Sequence, residues 1–267
     1  MIRIAVAGAA GRMGRALLSA VQSHPSVQLA HAFERPGHEA VGVSAAVLTG
    51  ESGSDVTISD SVAGVAFDVL IDFTSPASSL ANLEYCVAQG CRAVIGTTGF
   101  DSAQRQTIEA AAGKTALVWA PNMSVGVNIT LKLLEVAAKA FGDDADIEVI
   151  EAHHKHKVDA PSGTALRMGE VVADALGRDL TEHGVFARHG VTGPRGERDI
   201  GFSTIRAADT VGEHSVWFAG AGERVEITHK ASSREIYANG AVRSAIWIMA
   251  KTTGLYDMQD VLGLRDG

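Results

Sequence analysis

The stretch Ile2-Arg3-Ile4-Ala5-Val6-Ala7-Gly8-Ala9-Ala10-Gly11-Arg12-Met13-Gly14 decides how the first half of the chain is read. Its first six residues form a short apolar, partly β-branched run of the kind expected in a parallel strand covered on both faces. Beyond the glycines, apolar residues recur at Met13, Ala16, Leu17, Ala20 and Val21, the stripe of an amphipathic helix. His24-Pro25 stops that helix, Val27, Leu29 and Phe33 alternate as a second strand, and Glu34-Arg35 closes it. Strand, glycine turn, helix, strand and acid, with Glu34 twenty residues beyond Gly14, together predict a dinucleotide-binding βαβ unit. The turn glycines let the backbone approach a pyrophosphate, and the helix start offers it unpaired N–H groups and partial positive charge. The pattern is G-x-x-G-x-x-G, with Ala10 where the commoner fingerprint has its middle glycine. The competing reading is an ordinary βαβ unit whose glycines serve packing alone. Glu34 can accept hydrogen bonds from ribose hydroxyls, and the Arg35 guanidinium can pair with a 2′-phosphate, so NADH or NADPH is the expected cofactor.

Working outward, the alternation continues. Phe67–Phe73 reads as a strand, Ser79–Gln89 as a helix stopped by Gly90, and Cys91–Ile95 as a strand running into Gly96-Thr97-Thr98-Gly99. A helix over Ser102–Ala112 and a strand over Thr115–Ala120, ending in Pro121-Asn122-Met123, complete a doubly wound parallel sheet. Ligands of such sheets bind outside the carboxyl ends of the strands, which is where Gly8–Gly14, Glu34-Arg35, Phe73-Thr74, Gly96–Gly99 and Ala120–Met123 all fall. The 267 residues are 46% hydrophobic and 20% charged, enough apolar material for a core and too much for a disordered chain. Twenty-three Lys and Arg against 31 Asp and Glu leave a formal charge of −8, which argues against a nucleic-acid partner. No apolar run approaches the roughly 18–20 residues of a membrane span, so no membrane partner is expected. The apolar start is too short for a signal peptide and runs into the glycine turn, so a cytoplasmic protein is expected. Cys86 and Cys91 are read as free thiols.

After a helix at about Val125–Phe141 the pattern changes. Ile147–Glu151, Ile200–Arg206, Ser215–Phe218 and Arg224–Lys230 are strand-like without regular helices between them, which predicts a second, α+β domain with a mixed or largely antiparallel sheet. Ser233–Thr253 reads as one long helix returning to the first domain. The expected division is 1–124 with 235–267 for dinucleotide binding, and 125–234 for substrate binding and assembly. Within the second part, His153-His154-Lys155-His156-Lys157 is a run of five groups that can be cationic. Just beyond, Asp159-Ala160-Pro161 breaks the chain and Ser162-Gly163-Thr164 opens a helix to about Leu176, with a hydroxyl to cap it and N–H groups free for a carboxylate. Cations beside a helix start describe a pocket for a small dianion. A solvated charge run, a structural histidine cluster and a metal site compete. The last is disfavoured because neighbouring strand residues face opposite ways and no further ligand completes a tetrahedral set. Proton transfer is the favoured role, since imidazole titrates near neutrality. Another two-domain dehydrogenase and a non-catalytic dinucleotide sensor are the rival functions.

Five segments together resemble the 4-hydroxy-tetrahydrodipicolinate reductase family: Gly8–Gly14, Ile95–Phe100, Ala120–Asn128, Glu151–Ala165 and Ile227–Arg234. They span nearly the whole chain, and the His-His-x-His-Lys-x-Asp-x-Pro-Ser-Gly-Thr block is the specific one. The resemblance implies a Rossmann-like domain and reduction of a cyclic dicarboxylate by NADH or NADPH, with loss of water, in lysine and diaminopimelate synthesis. It implies His153 as proton donor or acceptor, Lys157 as proton donor, and His154, Gly163 and Thr164 as substrate contacts. Gly8, Ala9, Ala10, Gly11, Arg12, Met13, Glu34, Arg35, Gly96, Thr97, Thr98, Ala120, Pro121, Asn122 and Met123 are implied to hold the cofactor. No metal is implied, and a homotetramer joined through the second domains is. Ser75 stands where some members carry a basic residue that helps hold NADPH.

Overall fold

The computed structural model describes residues 1–50 and 54–265. Two compact units emerge, Met1–Val125 with Arg234–Gly267, and Gly126–Ser233. Elements are numbered in chain order through both. The first unit begins β1 (Ile2–Ala7), α1 (Arg12–Ser23), β2 (Val27–Phe33), α2 (Ala45–Thr49), β3 (Val69–Asp72) and α3 (Pro76–Gln89). It continues β4 (Arg92–Ile95), α4 (Ser102–Ala112) and β5 (Ala116–Trp119). Next come α5 (Val125–Phe141), β6 (Asp146–His153), α6 (Gly163–Ala175), α7 (Leu180–His183) and β7 (Gly184–Val185). Then follow β8 (Ile200–Arg206), β9 (Gly212–Gly220) and β10 (Glu223–Ala231), before α8 (Glu235–Trp247), β11 (Gly254–Tyr256) and α9 (Met258–Leu262) return to the first unit.

The first sheet runs β11-β5-β4-β3-β1-β2 with every neighbouring pair parallel. Strand order reverses between β1 and β3, and the glycine turn leaves β1 at that point. Beyond β2, a single parallel bridge from Phe33 to Ser59 stands where a further strand would extend the sheet. Alternation along the strands builds two cores. Ile4 and Val6 of β1 pack with Leu17 and Leu18 of α1 and Ala241 and Val242 of α8 on one face. Ala5 and Ala7 pack with Leu83 and Cys86 of α3 and Ile108 of α4 on the other. A strand sandwiched in this way must be apolar on both sides, which is why β1 reads as a continuous run. Cys86 and Cys91 are both free and buried.

The second sheet runs β10-β9-β6-β8-β7 and is mixed: β6 pairs parallel with β8 and antiparallel with β9. Of the two expected forms, mixed or largely antiparallel, the sheet takes the mixed one: β6 and β8 are parallel because α6 and α7 lie in the crossover that parallel neighbours require, and β7 runs parallel to β8 through the connection 186–199. Ile147, Val149, Val216 and Phe218 face α5 and α6 and form a one-sided core with Leu134, Met168 and Val172.

Boundaries also differ from expectation, as at β9, which runs Gly212–Gly220 where Ser215–Phe218 was expected. Helix α3 begins at Pro76, not Ser79, because a proline at the first helical position forfeits no helical bond. β3 ends at Asp72 instead of Phe73. The long C-terminal helix stops at Trp247, tightens through a 3-10 turn at Ile248–Ala250, and gives way to β11, the sixth parallel strand.

Helix α8 approaches the main chain at Met123 so closely that a Cβ on Gly240 would stand 1.8 Å from the Met123 carbonyl oxygen. Gly240→Ala is therefore expected to destabilise the protein by roughly 1–3 kcal/mol in urea unfolding, despite alanine's better helix propensity. A neutral or stabilising result would show that the contact yields.

Candidate active site

In the first unit the parallel strands deliver every expected rim loop to their carboxyl ends. Gly8 adopts φ 65°, which a side chain would resist, and a Cβ on Gly14 would lie 2.1 Å from the Gly8 carbonyl oxygen. The first turn of α1 has neither a side-chain cap nor an acidic residue, so its N–H groups are left for an anion. Arg12 is exposed at this terminus and Met13 is half-buried. Glu34 reaches back across the rim, where one oxygen accepts the Ala10 N–H at 2.9 Å. A carboxylate has room for further donors, so this bond fixes Glu34 without exhausting it. Arg35 beside it is exposed.

The loops after β3 and β4 are tied by a group whose role the sequence did not reveal. Asp72 is 1% exposed and accepts from the Thr74 N–H and hydroxyl, the Ser79 hydroxyl and the Asn82 amide at 2.6–2.9 Å. Thr97 joins this network through its hydroxyl, which accepts from the Thr74 N–H at 2.9 Å and lies 2.7 Å from the Ser79 hydroxyl, so its side chain braces the rim from within. Gly96 lies under the Phe73 ring, where a Cβ would come within 2.1 Å. Thr98 is exposed. Ala9, Ala120 and Met123 are buried in the first core, leaving their main chains as what they can offer a ligand. Pro121 is exposed and Asn122 half-buried, the latter's Oδ1 accepting the Ser124 N–H at 2.9 Å. The glycine contacts and the uncapped helix start fit a pyrophosphate-bearing dinucleotide.

In the second unit the cationic run divides. His153 ends β6 on the core face, only 9% exposed, while Lys155 and His156 are in solvent. His154 and Lys157 are half-buried, and Lys157 Nζ donates to both Asp159 carboxylate oxygens at 2.8 Å. That ion pair holds the Asp159 carboxyl below its usual range. Helix α6 is capped by Ser162, whose Oγ accepts the Ala165 N–H at 3.1 Å. Gly163 is exposed at the helix start beside half-buried Thr164.

Beneath this surface lies Glu151, 1% exposed. His153 Nδ1 is 2.6 Å from its Oε2, and Arg206 donates to both its oxygens at 2.8 Å. Ser162 N–H reaches Oε1 at 3.1 Å. Burial alone would raise the Glu151 pKa, but the bonds from Arg206 and His153 outweigh it and hold the carboxyl below its ordinary value. The His214 Nε2 meets Ser162 Oγ at 2.9 Å, and its ring stands edge-on to His153 at 5.1 Å. Of these partners, Ser162 was legible as the cap of the helix, and Glu151 carried a signal too: two residues from His153 on a strand, it must share that residue's face. Arg206 and His214 come from strands 55 and 63 residues further on than Glu151, and nothing local announces them. Among the described residues no group of three His, Cys, Asp or Glu side chains is placed to hold a metal.

A doubly wound sheet with a glycine turn at its switch point, joined in one chain to a one-sided mixed sheet carrying a buried imidazole–carboxylate pair, defines a two-domain oxidoreductase of the dinucleotide-dependent class. The family model described as dihydrodipicolinate reductase, N-terminus, matches residues 2–123, and the one described as dihydrodipicolinate reductase, C-terminus, matches residues 126–262. A 4-hydroxy-tetrahydrodipicolinate reductase of Methylococcus capsulatus is 57% identical over 267 residues, covering 99% of each chain. The chain belongs to the dihydrodipicolinate reductase family. Among solved structures, dipicolinate-bound dihydrodipicolinate reductase from Paenisporosarcina sp. TG-14 shares the fold at TM-score 0.78 and 24% identity, over 97% of this chain and 99% of that one. GenD2 of gentamicin A biosynthesis, in complex with NAD, shares it at TM-score 0.60 and 14% identity, over 98% and 90%.

Burial, with the neighbouring His153 second, pulls the His214 pKa down to about 4 from an ordinary 6.5. As pH falls below 6.5 the unfolded chain takes up this proton and the folded protein does not, so stability is lost until pH reaches about 4. Between pH 7 and 5 the loss is on the order of 2 kcal/mol from this group. The unfolding free energies of His214→Gln and the parent should therefore converge over that interval. A constant gap would mean that His214 is not held neutral.

Proposed function

We propose that the protein is a cytoplasmic reductase that converts 4-hydroxy-tetrahydrodipicolinate to tetrahydrodipicolinate, with loss of water, for lysine and diaminopimelate synthesis. The observation that carries this reading is the 57% identity, end to end, with a reductase of that name. A nicotinamide cofactor, NADH or NADPH, supplies the hydride when bound. Gly8 to Met13, Ala120 to Asn122 and the main chain of Met123 are assigned to holding it, with Glu34 and Arg35 assigned to the adenosine ribose and Gly96, Thr97 and Thr98 to the rim of the same site. The uncapped start of α1 supports the pyrophosphate assignment.

The remaining steps belong to the chain's own groups. Gly163 and Thr164 at the start of α6 are assigned to one substrate carboxylate, with His154 contacting the ring system. Once reduced, a ring carbon's neighbour carries negative charge that an acid must quench. His153 is assigned to exchange the quenching proton at Nε2, because its Nδ1 is committed to Glu151. Loss of water needs one proton given to the departing hydroxyl and one taken from the adjoining ring carbon. Lys157 Nζ, held by the Asp159 carboxylate, is assigned to the first and His153 to the second, which it returns after the hydride is added. A homotetramer joined through the second sheets is supported by that sheet's one-sided core. The face away from α5 and α6 presents Ile150, Ala152, Trp217 and Ile205, the last 48% exposed.

The deciding assay generates the substrate in situ with dihydrodipicolinate synthase and follows oxidation of NADH and NADPH separately; absence of turnover with both would reject the reading. Lys157→Ala is expected to lower kcat about 100-fold while the NADH Kd stays unchanged, and equal loss of cofactor binding would contradict the role of Lys157. Arg35→Ala should weaken NADPH more than NADH. A uniform loss would leave Arg35 a structural residue only.

A further inference from the structure

We infer that Glu151, clamped by Arg206, is the positioning residue of the second unit: one carboxylate sets which nitrogen of His153 faces the substrate and fixes the start of α6 beside it. The inference rests on the assignment of His153 to proton transfer made above.

Sheet register places the parts. On the face covered by α6, Thr204, Glu151 and His214 lie abreast on β8, β6 and β9, with Arg206 beside His153 one step along. An ionised carboxylate only accepts, so the short contact from His153 Nδ1 to Oε2 requires the proton to sit on Nδ1. In the neutral ring Nε2 is then bare and can take a proton, and in the charged ring it is the outward donor. Space at that nitrogen is kept by Gly212, where a Cβ would stand 3.1 Å from Nε2.

The other oxygen, Oε1, accepts the Ser162 N–H at 3.1 Å and the Thr204 hydroxyl at 3.4 Å. Ser162 is the cap of α6 and also meets His214, so Glu151 sets where Gly163 and Thr164 begin. Arg206 extends the clamp by donating from Nη2 to the Asp159 carbonyl at 2.7 Å, in the loop whose Asp159 side chain holds Lys157. The groups facing the carboxylate are thus His153 on its own strand, Arg206 and Thr204 on β8, His214 on β9 and Ser162 before α6. Arg206 alone among them is permanently charged, and it meets both oxygens. Neither Glu151 nor Arg206 is needed to touch substrate. They act through His153, Ser162 and the loop of Lys157.

Glu151→Gln tests this in the full chain. The amide oxygen is best satisfied towards the Ser162 N–H and Arg206 Nη2, which leaves its NH2 beside His153 Nδ1 and Arg206 Nη1. Arg206 must give way there, and with the NH2 donating to Nδ1 the neutral ring's proton moves to Nε2. Imidazole 15N shifts of His153 are expected to report Nδ1–H in the parent and Nε2–H in the variant, with kcat lowered roughly 100-fold, KM for the dicarboxylate raised, and NADH affinity and folded fraction unchanged. Arg206→Lys, which keeps the charge but loses the fork, is expected to lie between the parent and Arg206→Met in both the 15N shifts and kcat. An unchanged 15N pattern in Glu151→Gln overturns the positioning role even if activity is lost. Shifted 15N signals with full turnover would instead remove His153 from proton transfer, and with it the catalytic reason for Glu151.

Discussion

A carboxylate withdrawn from water has to be neutralised or saturated with donors, and the second unit is arranged around one that is both. Glu151 gathers a strand end, a helix cap and a guanidinium into one cluster. Any shift of β8 along β6 would separate Arg206 from it, and a one-residue slip of β8 would turn Arg206 to the opposite face. The register of the mixed sheet, the entry into α6 and the orientation of His153 are therefore one constraint seen from three sides. The pair also explains why β6 and β8 carry charge on a face that is otherwise core.

The first unit meets the same problem with different chemistry. Asp72 is as buried as Glu151, yet its hydrogen-bonding partners are two hydroxyl residues, an amide and a further threonine, with no cation among them. Neutral donors can satisfy a carboxylate by number, and here they come from the loops after β3 and β4 and from α3. The result is a rim stiffened without adding a positive side chain there. The α1 terminus is then left as the local attraction for an anion.

How far the sequence reveals this depends on the range of each signal. The turn Gly8–Gly14 and the acid Glu34 are legible because the chemistry sits within one βαβ unit: Gly8 carries a positive φ, and Gly11 and Gly14 close on its carbonyl oxygen. The limits of α4 and α5 are legible because amphipathic stripes run to a clear stop, at Gly113 for one and near Gly142 for the other. Strand β11 is not, because three residues beginning with Gly254 leave too little alternation to register, and the apolar run before it extends the helical reading. The parallel pairing of β6 with β8 is illegible for another reason: it joins residues about fifty apart, and strand pattern says nothing about partners. At the site the visible residues are those clustered in the block from His153 to Thr164. The groups that orient them, Arg206 and His214, reach it only through the sheet.

The first unit's discontinuity has a consequence for biosynthesis of the polypeptide. Helix α8 supplies Ala238, Ala241, Val242 and Ala245 to the core on the α1 face, and β11 supplies the sixth strand. A ribosome delivers these segments only after the entire second unit has been made. Until then β1, β3 and β4 show one bare apolar flank, the kind of surface that chaperones bind. The second unit, by contrast, is contiguous and meets no such delay. It can be finished while its older neighbour still waits for the piece that closes it.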